Sequence, residues 1–438
     1  MEVYKKLKIS GTTYRWGITK ICENYMPHIA IIGAGITGVT TAYELIKQGF
    51  NVTVFEKNLY PAMETSFANG GQLSACNAEV WNQKSTIAKG IKWMSQKDAP
   101  LLLNPSFNMQ KYTWLVSFLN NIKNYENNTI QTVRLALDSR KHMFAIADQE
   151  GFDFNLEKKG ILHFYHTAKD FEVAKDVNAL LKRGGLERYA VTPEEIKAIE
   201  PTLTGNYFGG FFTPDDATGD IHKFTRGLAT ACEKRGVKFC FGSDVQKITP
   251  ALDRVEILYH QQQPQQLKEQ AAKMAVFDGI VICGGVNSYH LGEQLGDKIN
   301  IYPVKGYSIT VNLKDEHSVK NAPWVSLLDE SAKIVTSRLG SDRFRVAGTA
   351  EFNGYNKDIR NDRIQPLIAW VNKNFDIATD SVVSWAGLRP MMPDMMPRVK
   401  RSKQARVFYN TGHGHLGFTL SAATAVMISQ EIQSALAA

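Results

Sequence analysis

Two clusters of residues have the types and spacing to do chemistry. Near the amino end, Gly33-Ala34-Gly35-Ile36-Thr37-Gly38 follows the apolar run Ile29 to Ile32 and precedes a helical pattern with Val39, Ala42, Leu45 and Ile46 on one face. Gly33 permits a tight turn, Gly35 lets the backbone approach a pyrophosphate, and Gly38 lets helix pack on strand. The start of the helix offers N–H groups and the positive end of its dipole to phosphates. A second strand, Val52 to Phe55, ends at Glu56-Lys57, where a carboxylate meets ribose hydroxyls. Strand, glycine turn, helix, strand and acid in this order predict an adenine-dinucleotide site, with NAD and FAD both open at this point. Near the carboxyl end, Arg389 lies in SWAGLRPMMPD (384–394) among apolar neighbours. A guanidinium so placed has lost water and needs an anion. A carboxylate ligand gripped by two parallel hydrogen bonds fits it; an internal ion pair with Asp394 is the alternative.

Other segments must position these groups. ETSFANGGQLS (64–74) is small, polar and too irregular for a helix. It reads as a loop that brings Ser66, Asn69, Gly70 and Gly71 along a long cofactor toward its reactive ring. Residues 276–285 read as a buried strand ending in Cys283 and Gly284, and residues 407–429 as a strand, the turn Gly412-His413-Gly414-His415-Leu416-Gly417, and a small-residue helix. That second helix start, near Gly417 and Thr419, suits the negative charge of a reduced flavin. No second glycine-turn unit with a ribose acid is present, so a separate nicotinamide site is not expected; the loop and the second helix start point to a flavin. Cys283 reads as a small apolar packer, so the flavin is expected to be noncovalent. His413 and His415 are expected to act through backbone rather than by acid–base work.

The chain has 438 residues, enough for two domains, and Lys plus Arg exceeds Asp plus Glu by eight. The basic residues are scattered, so no nucleic-acid partner is expected. Five cysteines form no CxxC pair and no metal-like spacing, so no metal site is expected and a reducing, cytoplasmic compartment is. No stretch of eighteen apolar residues suggests a membrane span. Residues 1–27 read as a flexible extension with no signal-peptide core. Residues 87–103 interleave Ile91, Trp93, Met94 and Leu101 with Lys89, Lys92 and Lys97, a pattern for a bilayer surface or for an ordinary packed helix. Residues 261–273, QQQPQQLKEQAAK, read as a polar excursion between two strands.

The fingerprint, ETSFANGGQLS, GGFFTPDDATGD (209–220), YPVKGYS (302–308), WAGLRPMMPD and NTGHGHLGFT (410–419) together resemble the D-amino-acid oxidase family of FAD proteins. AKGIKWM (88–94) with DAPL (98–101) resembles its dehydrogenase branch. The resemblance runs from His28 to the carboxyl end. It implies an α/β fold: a discontinuous Rossmann-like FAD-binding domain (28–85, 206–300, 384–438) and an α+β substrate domain on a mixed or antiparallel sheet (86–205, 301–383). It implies that Arg389 clamps the substrate carboxylate and that Val245 offers backbone bonds to adenine, with Gly387 also at the cofactor. Tyr307 either adds a hydroxyl to the carboxylate or packs in the core. Arg338 is either a second anion partner or a solvated strand residue. The implied reaction is oxidative deamination of a D-amino acid such as D-alanine, by hydride transfer from Cα to flavin N5, giving a 2-oxo acid and ammonia. Electrons would pass to a quinone, at the inner face of the cytoplasmic membrane. Glycine, D-proline derivatives or opines as substrates remain open, as does a flavin subunit without turnover.

Overall fold

The computed structural model describes residues 8–9, 12–13, 26–84, 100–262 and 272–437. Most of the expected extension, of the amphipathic segment 87–103 and of the polar excursion 261–273 lies outside them.

Two sheets dominate. The first has six strands in the order Lys238–Phe241, Asn51–Glu56, His28–Ile32, Gly279–Ile282, Val407–Thr411 and Arg398–Arg401. The first five run parallel and the last antiparallel. A parallel sheet is covered on both faces, and strand alternation divides its side chains between two cores. Ile29, Ile31, Val52, Val54 and Val281 enter one, beneath helices Ile36–Lys47 and Gly417–Ala437. Ala30, Ile32, Phe55, Ile280 and Ile282 enter the other, beneath the meander Ser243–Pro250, Val255–Gln261 and Ala272–Phe277. The Ile36–Lys47 helix is buried nearly all round, because Gly417–Ala437 packs along it. The single strand expected at 276–285 is two strands in different sheets. The chain breaks at Asp278, whose carboxylate accepts the His28 N–H at 2.7 Å, and Val276 before it is 53% exposed.

The larger sheet is mixed. Its main order is Val382–Met391, Tyr302–Asn312, Arg343–Phe352, Ile334–Arg338, Ser326–Asp329, Ile161–Tyr165, Gly209–Thr213 and Tyr189–Val191, with Leu101–Leu103 added beside Arg343–Phe352. Two strands near expected domain boundaries, Gly209–Thr213 and Val382–Met391, hydrogen-bond into this sheet.

The loop 64–74 ties the sheets together. Thr65 Oγ1 donates to Leu388 O at 2.8 Å, and Ser308 Oγ donates to Ala68 O at 2.8 Å. Arg345 Nη1 donates to Asn69 O at 3.1 Å and Ser337 Oγ to Gly70 O at 2.6 Å. Gln72 Nε2 donates to Ser326 Oγ at 2.7 Å. These partners lie on five adjacent strands, met in sheet order as the loop advances. The loop turns as it goes: the Phe67 N–H donates to Glu64 O at 2.8 Å and the Gly71 N–H to Asn69 Oδ1 at 2.9 Å.

Candidate active site

A cavity of about 1300 Å³ lies between the sheets and reaches from the glycine turn to the larger sheet. At one end, Gly33 has φ +102, and a Cβ there would lie 2.7 Å from Cys283 O. A Cβ on Gly38 would lie 1.9 Å from Gly33 O, so the turn admits no side chain at either place. No acidic residue occupies the first turn of the following helix. Glu56 is buried at the end of its strand. One oxygen accepts the Ala34 N–H at 2.7 Å and the other the N–H of Asn58 at 2.9 Å. Burial raises its pKa against these hydrogen bonds. Of the expected cofactor residues, all but Ala34, Gly38 and Thr419 line the cavity. Those three act from behind: Ala34 orients Glu56, Gly38 closes the turn, and Thr419 Oγ1 accepts the Ser74 N–H at 3.1 Å. Two helix starts without an acidic residue in the first turn, an acid at a strand end and a backbone surface stripped of Cβ atoms fit a dinucleotide.

The histidines of the second turn are buried. His413 Nε2 bonds Thr424 Oγ1 at 2.9 Å, and burial lowers its pKa to about 3. His415 stacks on Trp81 with ring centres 4.8 Å apart. Burial, with Arg389 nearby, lowers its pKa to about 4. Both are neutral at pH 7. Cys283 packs on the fingerprint helix with Sγ 3.9 Å from Thr41 Oγ1, and burial pushes its thiol up to about 12.

Arg389 stands in the cavity wall on strand Val382–Met391. Trp385, Gly387 and Arg389 share one strand face. Gly387 pairs with Gly306 on the neighbouring strand, and the two glycines make a hollow. A Cβ on Gly387 would meet the Trp385 ring at 2.0 Å, and one on Gly306 would meet Arg389 Nη2 at 2.2 Å. The guanidinium therefore lies flat on Gly306. Its Nη1 donates to Thr349 O at 2.9 Å. Thr349 is β-branched yet has φ +60, an unfavourable conformation that aims this carbonyl. The alternative partner is excluded: Asp394 pairs with Arg398 at 2.8 Å. No carboxylate among the described residues ion-pairs with Arg389, and burial lowers its pKa to about 10.

Two expected residues do other work. The Tyr307 hydroxyl donates to Glu351 Oε2 at 2.6 Å, in a buried network where Lys305 Nζ lies 3.3 Å from Glu351 Oε1. Its ring borders the cavity, but its hydroxyl is committed. Arg338 is neither solvated nor at the cavity: it is 1% exposed and donates to the carbonyls of Gly340, Ala322, Val319 and Ser341. Turning inward, it closes a loop by filling backbone acceptors. Sequence reasoning missed Thr349 and the polar far end of the cavity, where His163, Tyr165, Arg188, Glu330 and Lys333 gather. They come from separated strands and loops with no shared motif. An arginine beside a short strand was the one available signal for Arg188.

This geometry defines a two-sheet dinucleotide-binding oxidoreductase. The chain belongs to the DAO family of FAD dependent oxidoreductases, whose profile matches residues 28–431. It is 57% identical over 405 residues to a protein of Mesorhizobium japonicum named D-amino acid dehydrogenase 3, covering 92% of this chain and 96% of that one. It is 38% identical over 407 residues to a D-amino acid dehydrogenase of Paramagnetospirillum magneticum, covering 90% and 92%. Among solved structures, glycine oxidase from Geobacillus kaustophilus superimposes with a TM-score of 0.72 at 18% identity, covering 93% of this chain and 95% of that one.

Two outcomes follow from this geometry. Gly306→Ala should displace the guanidinium and raise KM for a carboxylate substrate roughly tenfold or more, about 1.4 kcal/mol, while far-UV circular dichroism stays unchanged. An unchanged KM would mean that Arg389 does not hold the carboxylate from this hollow. The buried histidines bear on acid stability. His163, His413 and His415 have folded pKa values of about 4, about 3 and about 4, below the ordinary 6.5. As pH falls from 6.5 to 4, the unfolded chain binds protons that the folded chain refuses, so stability drops. Each histidine adds up to about 1.4 kcal/mol per pH unit in that window. Calorimetry at pH 5 in two buffers should show His413→Asn taking up about one proton fewer on unfolding; equal uptake would contradict the neutral burial of His413.

Proposed function

We propose that the protein is an FAD-dependent D-amino-acid dehydrogenase, converting substrate and water to a 2-oxo acid and ammonia while passing two electrons to an acceptor. The observation that carries this reading is Arg389, a cation in the cavity wall with a carbonyl partner and no ion pair. The names of the relatives supply the substrate's hand and the word dehydrogenase. Bound FAD supplies the acceptor for the hydride of the substrate's Cα. The protein supplies position and surroundings. Arg389 fixes the α-carboxylate with its remaining N–H groups, which sets how Cα is presented. Thr349 O and Gly306 hold the guanidinium in one orientation. The neutral rings of His415 and Trp81 wall the site without competing for the carboxylate. The glycine turn, Glu56 and the start of helix Gly417–Ala437 hold the dinucleotide.

For the acceptor, the reading extends to a membrane quinone. Its support is an apolar stripe beside segment 87–103: Met109, Tyr112, Val116 and Leu119 are exposed at helical spacing, with Phe107 just ahead. Among the described residues no helix is long and apolar enough to cross a membrane.

The first test is anaerobic. D-Alanine should bleach the flavin absorbance of the purified protein and L-alanine should not. Arg389→Lys, which keeps the charge but loses the fork, should lower kcat/KM by roughly 10- to 100-fold, about 1.4–2.8 kcal/mol. Bleaching by glycine or D-proline alone would move the substrate; bleaching by none would overturn the enzymatic reading. For the membrane contact, the protein should co-sediment with anionic lipid vesicles, and Val116→Glu should weaken this severalfold. Equal sedimentation of both forms, or none, would dismiss the stripe as a membrane surface.

A further inference from the structure

The cavity holds a second arginine that this reaction leaves unused. Arg188 precedes strand Tyr189–Val191, borders the cavity and is only 7% exposed. Its guanidinium lies over the Phe211 ring, 4.8 Å from the centroid, and Phe171 stacks on Phe211 at 5.3 Å. An arginine laid on an aromatic face keeps its hydrogen-bonding edge free for a planar anion. That edge is nearly idle. Nη2 lies 3.5 Å from the Tyr165 hydroxyl, a long contact, and Nε is buried with no partner. No carboxylate among the described residues ion-pairs with it.

The nearby acids are already engaged. Glu330 is paired with Lys333 and, through Oε1, lies 3.2 Å from His163 Nδ1. His163 also meets Cys76 Sγ at 3.2 Å and is neutral. Glu79 accepts the Tyr125 hydroxyl at 2.7 Å and a bond from Gln83. Lys169 stands exposed at the rim, and Asp170 accepts the Thr167 hydroxyl at 2.7 Å. A buried cation without an anion is costly, and a ligand that brings one recovers that cost.

We propose that Arg188, with Tyr165 beside it, receives a second acidic group at the far end of the substrate, while Arg389 holds the α-carboxylate. The favoured substrates are then extended D-2-amino dicarboxylates. This rests on the role given to Arg389 above. The strands bearing Arg389 and Tyr165 are five places apart in the sheet, roughly 24 Å at about 4.8 Å per step. Both arginine side chains border the one cavity across that span, so a longer acid is better placed to reach both than a short one such as D-aspartate.

The test is a ladder of D-glutamate, D-2-aminoadipate and D-2-aminopimelate beside D-alanine and the neutral D-norleucine, with steady-state kinetics on the holoenzyme and an artificial electron acceptor. In the unmodified protein, kcat/KM should rise along the ladder and exceed that of D-norleucine. Arg188→Leu should remove the advantage by raising KM for the longer acids at least tenfold, leaving D-alanine within twofold. Arg188→Lys should restore part of it, and it serves as the test if the leucine variant fails to fold. Oxidation of D-alanine with no dicarboxylate preference, or an equal loss on all substrates in the variant, would overturn this inference and leave the proposed function standing. No oxidation of any of the five would instead overturn the proposed function beneath it.

Discussion

The loop from Thr65 to Gln72 is the element on which the site depends. Its hydrogen bonds to five successive strands pin it along the larger sheet, and the Ser66 hydroxyl accepts the Ile36 N–H beside the glycine turn at 3.1 Å. Most of these bonds use loop carbonyls, so the loop can be small and irregular without leaving its backbone unsatisfied. That explains its composition: a bulky residue at Gly70 would strike Val335, where a Cβ would stand 2.8 Å from Cγ2. This strap lies pinned along the larger sheet. The wall carrying Arg389 and the glycine turn border one cavity.

Buried and half-buried arginines are the second theme, and they differ in how they are satisfied. Arg338 fills four backbone carbonyls. Arg345 bonds Thr310 Oγ1 at 2.7 Å and supports the strap through Asn69 O. Arg389 has a single carbonyl, and Arg188 has an aromatic shelf and one long contact. The first pair is structural because every available acceptor is protein. The second pair faces open cavity with donors to spare. The same residue type thus divides by its unmet hydrogen-bonding capacity, a sharper criterion than burial alone.

The glycine turn, its helix and its acid were legible in the sequence because their signal is local and lies within thirty residues. The place of Arg389 in a wall of the cavity was legible for a similar reason, with its apolar surroundings written beside it. Tyr307 and Arg338 could not be resolved that way. Their partners, Glu351 for one and the carbonyls around Ala322 and Gly340 for the other, depend on strand register and loop closure. The break at Asp278 was hidden because a continuous apolar run does not reveal that its two halves join different sheets. The far wall with Arg188 and Glu330 is assembled from segments more than one hundred residues apart, and no local pattern reports it.

The place of the carboxyl-terminal segment has a consequence for biosynthesis. Strand Val407–Thr411 sits inside the six-stranded sheet, and helix Gly417–Ala437 packs on the fingerprint helix and on helix Tyr125–Glu150. Neither is available until the ribosome has made all of the sheet's other strands, from His28–Ile32 to Arg398–Arg401. Until then, one edge of strand Gly279–Ile282 and the outer face of the fingerprint helix stay uncovered, and open edges and bare apolar faces are what draw nascent chains into aggregates. The six-stranded sheet therefore closes late, and chaperone demand during synthesis should fall on this long-range closure rather than on the larger sheet.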